Sequence, residues 1–259
     1  MQLETLEFFA ENRVATITLN RPPFNPFNRQ LYRELYELLD RIDEDDQIQA
    51  VIITGKGEKA FGAGADITEM MKLDPVEVAR MGEDSRKATG RIERLSKPVI
   101  AAINGLALGG GSELALACDL RLCAEHAKFG LPEINLGIIP GGGGTQRLQR
   151  LIGQARAKEL MFFGEIIPAT KAYEYGLVNK VVPAAELMGC ALEWAQKLAD
   201  KPSVAMKMLK MSVNGGADSD LNTALELESA CFGVAFASED RKEGMAAFAE
   251  KRKPNFVGK

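Results

Sequence analysis

Hydrophobic and polar positions follow two different periods along the first two thirds of the chain. In residues 14–19 (VATITL), apolar residues alternate with threonines, which predicts a strand with one buried face. The continuous apolar runs at 50–54 and 98–103 are typical of strands covered on both faces. Residues 119–123 and 177–182 resemble further strands. Strands that alternate with helices in this way predict an α/β fold.

Helical spacing is clearest between these strands and in the last part of the chain. After Asn28, a plausible N-cap, apolar residues recur every three or four positions. From residue 184 onward, nearly every segment has a helical pattern. We therefore expect an α/β core over residues 1–200 and a helical part over residues 201–259, with the boundary near Lys201 and Pro202. The predicted apolar stripes are Leu31, Leu35, Leu38, Leu39 and Ile42; Leu187, Ala191, Trp194, Ala195 and Leu198; and Leu221, Ala224, Leu225, Phe232, Ala235 and Phe236.

The composition of the chain argues against several classes of protein. The chain has 259 residues, of which 46% are hydrophobic, so it can bury a sizeable core. Its net charge of -4 disfavours nonspecific binding of nucleic acid, which needs a broad basic surface. No apolar run approaches the ~18 residues that span a bilayer. The first residues, MQLETLEFF, lack the pattern of a signal peptide, so we expect a cytoplasmic protein without membrane attachment.

Cysteine and histidine offer little chemistry. Four cysteines occur without a CxxC pair, which favours reduced thiols that pack as small apolar groups. His126 is the single histidine and lies in a polar stretch, where a surface position is expected. One histidine excludes a histidine-rich metal site and disfavours a Ser-His-Asp hydrolase. We expect no metal in this protein.

Glycines are concentrated in three clusters, at residues 61–66 (FGAGAD), 104–113 (NGLALGGGSE) and 140–144 (PGGGG). None of these clusters has the spacing of a dinucleotide-binding loop or a P-loop, and no GxSxG elbow occurs. Clustered glycines allow sharp turns or a close approach of the backbone to a ligand. Tight turns without function would explain the same clusters.

Two carboxylates have unusual neighbours. Glu113 follows GGGS and precedes an apolar helical segment, where it is either a catalytic group or a first-turn glutamate stabilised by the helix dipole. Glu133 lies in the almost uncharged stretch FGLPEINLGIIP, which favours a functional role. Apolar surroundings favour the neutral carboxyl and raise its pKa toward values useful for proton transfer. Nearby backbone N–H groups at the start of a helix would stabilise the negative charge of an enolate.

Taken together, these segments resemble the enoyl-CoA hydratase (crotonase) family. Four matches occur in the family's order and are spread over most of the chain. The matching segments are KAFGAGADITEM (59–70), PVIAAINGLALGGGSELALACDLRL (98–122), FGLPEINLGIIPGGGGTQRL (129–148) and EDRKEGMAAFAEKRKPNF (239–256). The resemblance implies a spiral of ββα units and a helical C-terminal part that assembles a trimer, usually stacked as a hexamer.

The resemblance also implies a role for individual residues. Glu113 matches the group that activates water, and Glu133 matches the group that exchanges the proton at C2 of the acyl chain. The N–H groups of Ala65 and Gly110 match the oxyanion hole, and that of Gly141 matches a donor to the water. The positions that match contacts to coenzyme A (CoA) are Lys59, Ala63, Asp66, Ile67, Phe232 and Lys251. No cofactor is implied beyond the CoA of the substrate.

Two positions depart from the family pattern. Pro23 and Thr68 stand where relatives often carry lysines that face CoA, so the phosphates would depend more on Lys59 and the basic tail. Because both Glu113 and Glu133 are present, the resemblance implies hydration of a trans-2-enoyl-CoA. The alternatives are an enoyl-CoA isomerase or another CoA-thioester enzyme of this fold and, more remotely, a relative that binds RNA.

Overall fold

A computed structural model describes residues 3–259. Within these residues the chain forms ten strands and eleven α-helices, and short 3-10 helices cover Pro132–Leu136 and Ala184–Glu186. The strands are β1 (Leu6–Glu11), β2 (Val14–Leu19), β3 (Ala50–Gly55), β4 (Ala60–Ala63), β5 (Val99–Ile103), β6 (Leu106–Leu108), β7 (Leu120–Ala124), β8 (Lys128–Gly130), β9 (Ile166–Pro168) and β10 (Lys180–Val182). The helices are α1 (Arg29–Glu44), α2 (Ile67–Met70), α3 (Pro75–Arg94), α4 (Gly110–Ala117), α5 (Gly144–Ile152), α6 (Gln154–Phe163), α7 (Ala169–Glu174), α8 (Leu187–Ala199), α9 (Ser203–Ala217), α10 (Leu221–Ala237) and α11 (Glu239–Glu250).

The strands form two sheets that the chain visits alternately. One sheet has the order β1-β2-β3-β5-β7-β10 and is parallel except for the β1–β2 pair. The other has the order β4-β6-β8-β9, with β9 antiparallel. From β3 to β8, each turn of the chain places one strand in each sheet and then adds helical structure. This repeated ββα path confirms the predicted α/β spiral.

Local sequence explains the best-predicted elements. The Asn28 side chain accepts a hydrogen bond from Leu31 N (3.0 Å) and starts α1, whose leucine stripe is buried. The strand predicted from residue 177 begins only at Lys180, because the Leu177 N–H bonds to Ala172 O and completes the turn after α7. Strand β1 was not predicted, since most of its residues are exposed and it lacks an alternating pattern.

The helices after residue 184 fall into two groups. The stripe on α8 packs against the large sheet, where Ala191 and Ala195 are buried among residues of β3, β5 and β7. Helix α9 has no buried residue but contacts the core through Lys210, whose Nζ lies 2.7 Å from Asp119 Oδ2.

The domain boundary between residues 200 and 201 stays a prediction. Within residues 3–259, no helix has both the length and the apolar character needed to cross a bilayer.

Candidate active site

One cavity of about 670 Å³ gathers the carboxylates and the glycine-rich segments that the sequence singled out. Its walls come from the loop after β4, the turn between β6 and α4, the 3-10 helix at Pro132–Leu136 and the glycines before α5. Side chains of α1 and α3 close another side. The lining includes Tyr32, Ala63, Gly64, Ala65, Ile67, Met81, Ser85, Gly109, Gly110, Glu113, Glu133, Gly141 and Gly142.

Glu113 lies in the first turn of α4 and is almost fully buried. Its Oε1 accepts hydrogen bonds from Gly142 N (2.7 Å) and Gly144 N (2.9 Å). Burial raises the pKa of Glu113, and the two N–H bonds and the Arg147 charge oppose that rise. With Oε1 held in this way, Oε2 is the oxygen that remains to accept a proton.

Glu133 lies in the first turn of the 3-10 helix, with its Oε1 packed against the turn at Gly109. Its Oε2 is buried and bonds to no donor within residues 3–259. The pKa of Glu133 is raised to about 7: burial raises it most, the backbone N–H of Glu133 lowers it, and the nearby Glu113 charge raises it. A carboxyl with this pKa is available both as an acid and as a base near neutral pH.

The raised pKa of Glu133 predicts a pH-dependent stability difference. The native state keeps a proton that the unfolded chain loses above the ordinary pKa of 4.5, so wild-type stability falls as pH rises from 4.5 to about 7. Glu133→Gln removes this loss. We expect the variant to gain about 1–2 kcal/mol in free energy of unfolding at pH 8 and little at pH 4.5. The gain is smaller than the full pKa difference would give, because solvent reaches Glu133 from the open side of the cavity. Urea denaturation across this range measures the difference, and a gain independent of pH would contradict the assignment.

Within the described residues, two backbone N–H groups without a protein acceptor belong to residues that line the same cavity. In the bridge between Phe27 and Ala65, Phe27 bonds to Gly64 O (2.9 Å) and to Asp66 N (2.8 Å), which directs the Ala65 N–H to the opposite side. Gly110 is the first residue of α4, where an N–H has no partner within the helix. In the part of the chain from residue 3 onward, neither N–H bonds to a protein acceptor. The pair can therefore receive a carbonyl oxygen, as an oxyanion hole requires.

Glycine is required where the two loops meet. Gly109 has a φ of +50°, and a Cβ there would lie 3.2 Å from Glu133 Oε1. A Cβ on Gly111 would lie 1.9 Å from Gly62 O, so the FGAGAD loop and the start of α4 approach too closely for any side chain. The clusters thus set the distance between the two N–H donors and the carboxylates.

A shallower cleft of about 550 Å³ adjoins the cavity and shares Ala63, Ala65 and Ile67 with it. Asp66 caps α2 and bonds to Arg21 (2.9 Å) and to the Thr68 hydroxyl (2.7 Å), and these hydrogen bonds lower its pKa. Lys59 is exposed, with its Nζ 5.8 Å from the ring centre of Phe24 on the cleft wall. Thr68 is therefore engaged with Asp66, whereas Lys59 can reach a ligand in the cleft.

The remaining predicted residues lie apart. Phe232 on α10 is exposed, and Lys251 ends α11 with an exposed side chain; neither lines the cavity or the cleft of its own subunit. His126 is at the surface, and the four cysteines are buried free thiols, as expected. Sequence reasoning missed Tyr32 and Ser85, because each belongs to an ordinary amphipathic helix and no motif marks its inward side.

The fold and this site define a class of protein. Residues 10–259 match the family described as enoyl-CoA hydratase/isomerase, and the chain belongs to that family. It is 47% identical over 254 residues to a short-chain-enoyl-CoA hydratase of Clostridium acetobutylicum (98% of this chain, 97% of that protein). It is 43% identical to a crotonyl-CoA hydratase of Syntrophomonas wolfei over the full length of both. The crystal structure of an enoyl-CoA hydratase from Bacillus anthracis superposes with a TM-score of 0.95 at 44% identity, covering 99% of this chain and 100% of that one.

Proposed function

We propose that this chain is an enoyl-CoA hydratase, a hydro-lyase that adds water reversibly to a trans-2-enoyl-CoA to give a 3-hydroxyacyl-CoA. The observation that carries the proposal is the meeting of Glu113, Glu133 and two unpaired backbone N–H groups in one cavity. Membership of the family and the names of the two hydratases above support an acyl-CoA thioester as substrate.

In the proposed reaction, each of these groups has a separate catalytic role. The thioester oxygen accepts hydrogen bonds from the N–H groups of Ala65 and Gly110. Glu113 Oε2 takes a proton from water while the water oxygen bonds to C3, and the electrons of the C2–C3 double bond move onto the thioester oxygen. The enolate then collapses as C2 takes the proton of Glu133. Dehydration runs through the same steps in reverse, so no redox or metal cofactor enters this scheme.

Two carboxylates favour hydration over isomerisation. Moving a double bond requires one group to take a proton from one carbon and return it to another. Adding water requires a base for the water and a separate acid for C2, and Glu113 and Glu133 supply this pair. Purified protein with crotonyl-CoA should therefore remove the enoyl absorbance in buffer alone and produce 3-hydroxybutyryl-CoA. Formation of only a shifted double bond would support the isomerase instead.

Binding of the CoA phosphates is assigned to Lys59 and to Lys251, with Ala63, Asp66 and Ile67 lining the nucleotide end. We expect Lys59→Ala and Lys251→Ala each to raise KM for crotonyl-CoA severalfold with little change in kcat, the pattern of lost uniform binding. The increase should shrink in high salt, because such ion pairs are screened. Crotonyl-pantetheine lacks the nucleotide phosphates and is the control; equal losses for both thioesters would refute the phosphate role.

We propose a homotrimer or a hexamer built from two trimers. Large apolar side chains of the C-terminal helices are exposed in one subunit, including Phe232 (66%) and Phe248 (86%), and such a surface is typical of an interface. In this assembly Phe232 would pack near the nucleotide of a neighbouring subunit. Light scattering at micromolar concentration should give three or six times the chain mass, and a monomer would contradict the proposal.

Buried free thiols support a reducing, cytoplasmic location.

A further inference from the structure

Ser85 on α3 is a polar residue in the cavity that the scheme above does not use. Its side chain is 5% exposed, and its Oγ has no hydrogen-bond partner within residues 3–259. A buried hydroxyl without a partner costs free energy, and native proteins rarely keep one. A ligand in the cavity that bonds to Ser85 would recover that cost.

The hydroxyl of Ser85 lies beside the catalytic base. A Cβ placed on Gly142 would be 2.6 Å from Ser85 Oγ and 2.6 Å from Glu113 Oε2, so both oxygens border the same small space in front of Gly142. Glu113 Oε1 is occupied by two backbone N–H groups, which leaves Oε2 facing this space. A water molecule there would meet the base and the serine together.

We propose that Ser85 positions the water for hydration, with its Oγ bonded to the water that Glu113 deprotonates. This inference rests on the proposed hydratase function. An attacking water must give one proton to Glu113 Oε2 and keep a lone pair directed at C3. Fixing its second hydrogen on Ser85 Oγ sets that orientation, and Ser85 itself neither gains nor loses a proton.

The test compares two reactions of the same site. Hydration of crotonyl-CoA needs the water, whereas exchange of the C2 hydrogen of butyryl-CoA in D₂O needs only the oxyanion hole and Glu133. We expect Ser85→Ala to lower kcat for hydration about 3- to 10-fold, the effect of one lost hydrogen bond, with unchanged KM and unchanged exchange. Because the lost hydroxyl had no protein partner, Ser85→Ala should unfold at the wild-type temperature or above.

Tyr36→Phe is the control, since it removes a hydroxyl on α1 that does not line the cavity. An unchanged kcat for Ser85→Ala would overturn the proposal, as would equal losses in hydration and exchange, which indicate a general distortion of the site. If the wild-type protein exchanges the C2 hydrogen but does not hydrate crotonyl-CoA, the hydratase assignment itself fails. The three outcomes are therefore distinguishable.

Discussion

Glu133→Gln should lower kcat for crotonyl-CoA hydration by ~10² or more and also abolish exchange of the C2 hydrogen of butyryl-CoA. General acid–base catalysis by one positioned group contributes ~10²–10⁴ in rate, and the amide cannot give or take the proton at C2. With its pKa raised to about 7, Glu133 can both give and take a proton near neutral pH. The same variant should be more stable than wild type at pH 8, so inactivity would not reflect unfolding.

Glu113→Gln provides the comparison that separates the two roles. It should lose hydration to a similar extent, because the water would lack its base, but it should retain exchange at C2 through Glu133. The loss of enoyl absorbance measures hydration, and mass spectrometry of the recovered thioester measures exchange. Near-normal hydration by folded Glu133→Gln would refute its role as the acid. Loss of exchange in Glu113→Gln with retention in Glu133→Gln would show that the assignments are reversed.

The sequence predicted long elements well because their apolar periods extend over many residues. The leucine stripe of α1 and the continuous run of β3 are examples. The second sheet was not predicted, because β4, β6, β8 and β9 have only three or four residues each and two of them contain glycine. Their positions are set by pairing with distant strands, which no local pattern records.

The candidate site was predictable where a motif carried its chemistry. Glu113 and Glu133 stood out as carboxylates in apolar stretches, and the structure places both on one cavity. Ser85 and Tyr32 gave no signal, since a serine or tyrosine on a long amphipathic helix is ordinary. The sequence also could not show which glycines of the PGGGG segment approach Glu113. In the folded backbone, the two N–H donors to Oε1 belong to Gly142 and Gly144.

Gly142→Ala should lower kcat for hydration by ~10² or more while the protein still folds. Position 142 has no positive φ, so alanine fits its backbone, but the new Cβ would lie 2.6 Å from Glu113 Oε2 and 2.6 Å from Ser85 Oγ. The methyl group would fill the space proposed for the water and push the Glu113 carboxylate away from it. Losing the action of a general base has an effect of this size.

Gly141→Ala is the matched control for this prediction. Position 141 also has no positive φ, a Cβ there would meet no atom within 4 Å, and alanine keeps the backbone N–H that we assign to the water. We expect it to lose far less activity than Gly142→Ala. In both variants, exchange at C2 reports whether Glu133 and the oxyanion hole are intact, and it should persist in Gly142→Ala while hydration fails. Equal hydration rates for the two variants would show that the attacking water does not lie in front of Gly142.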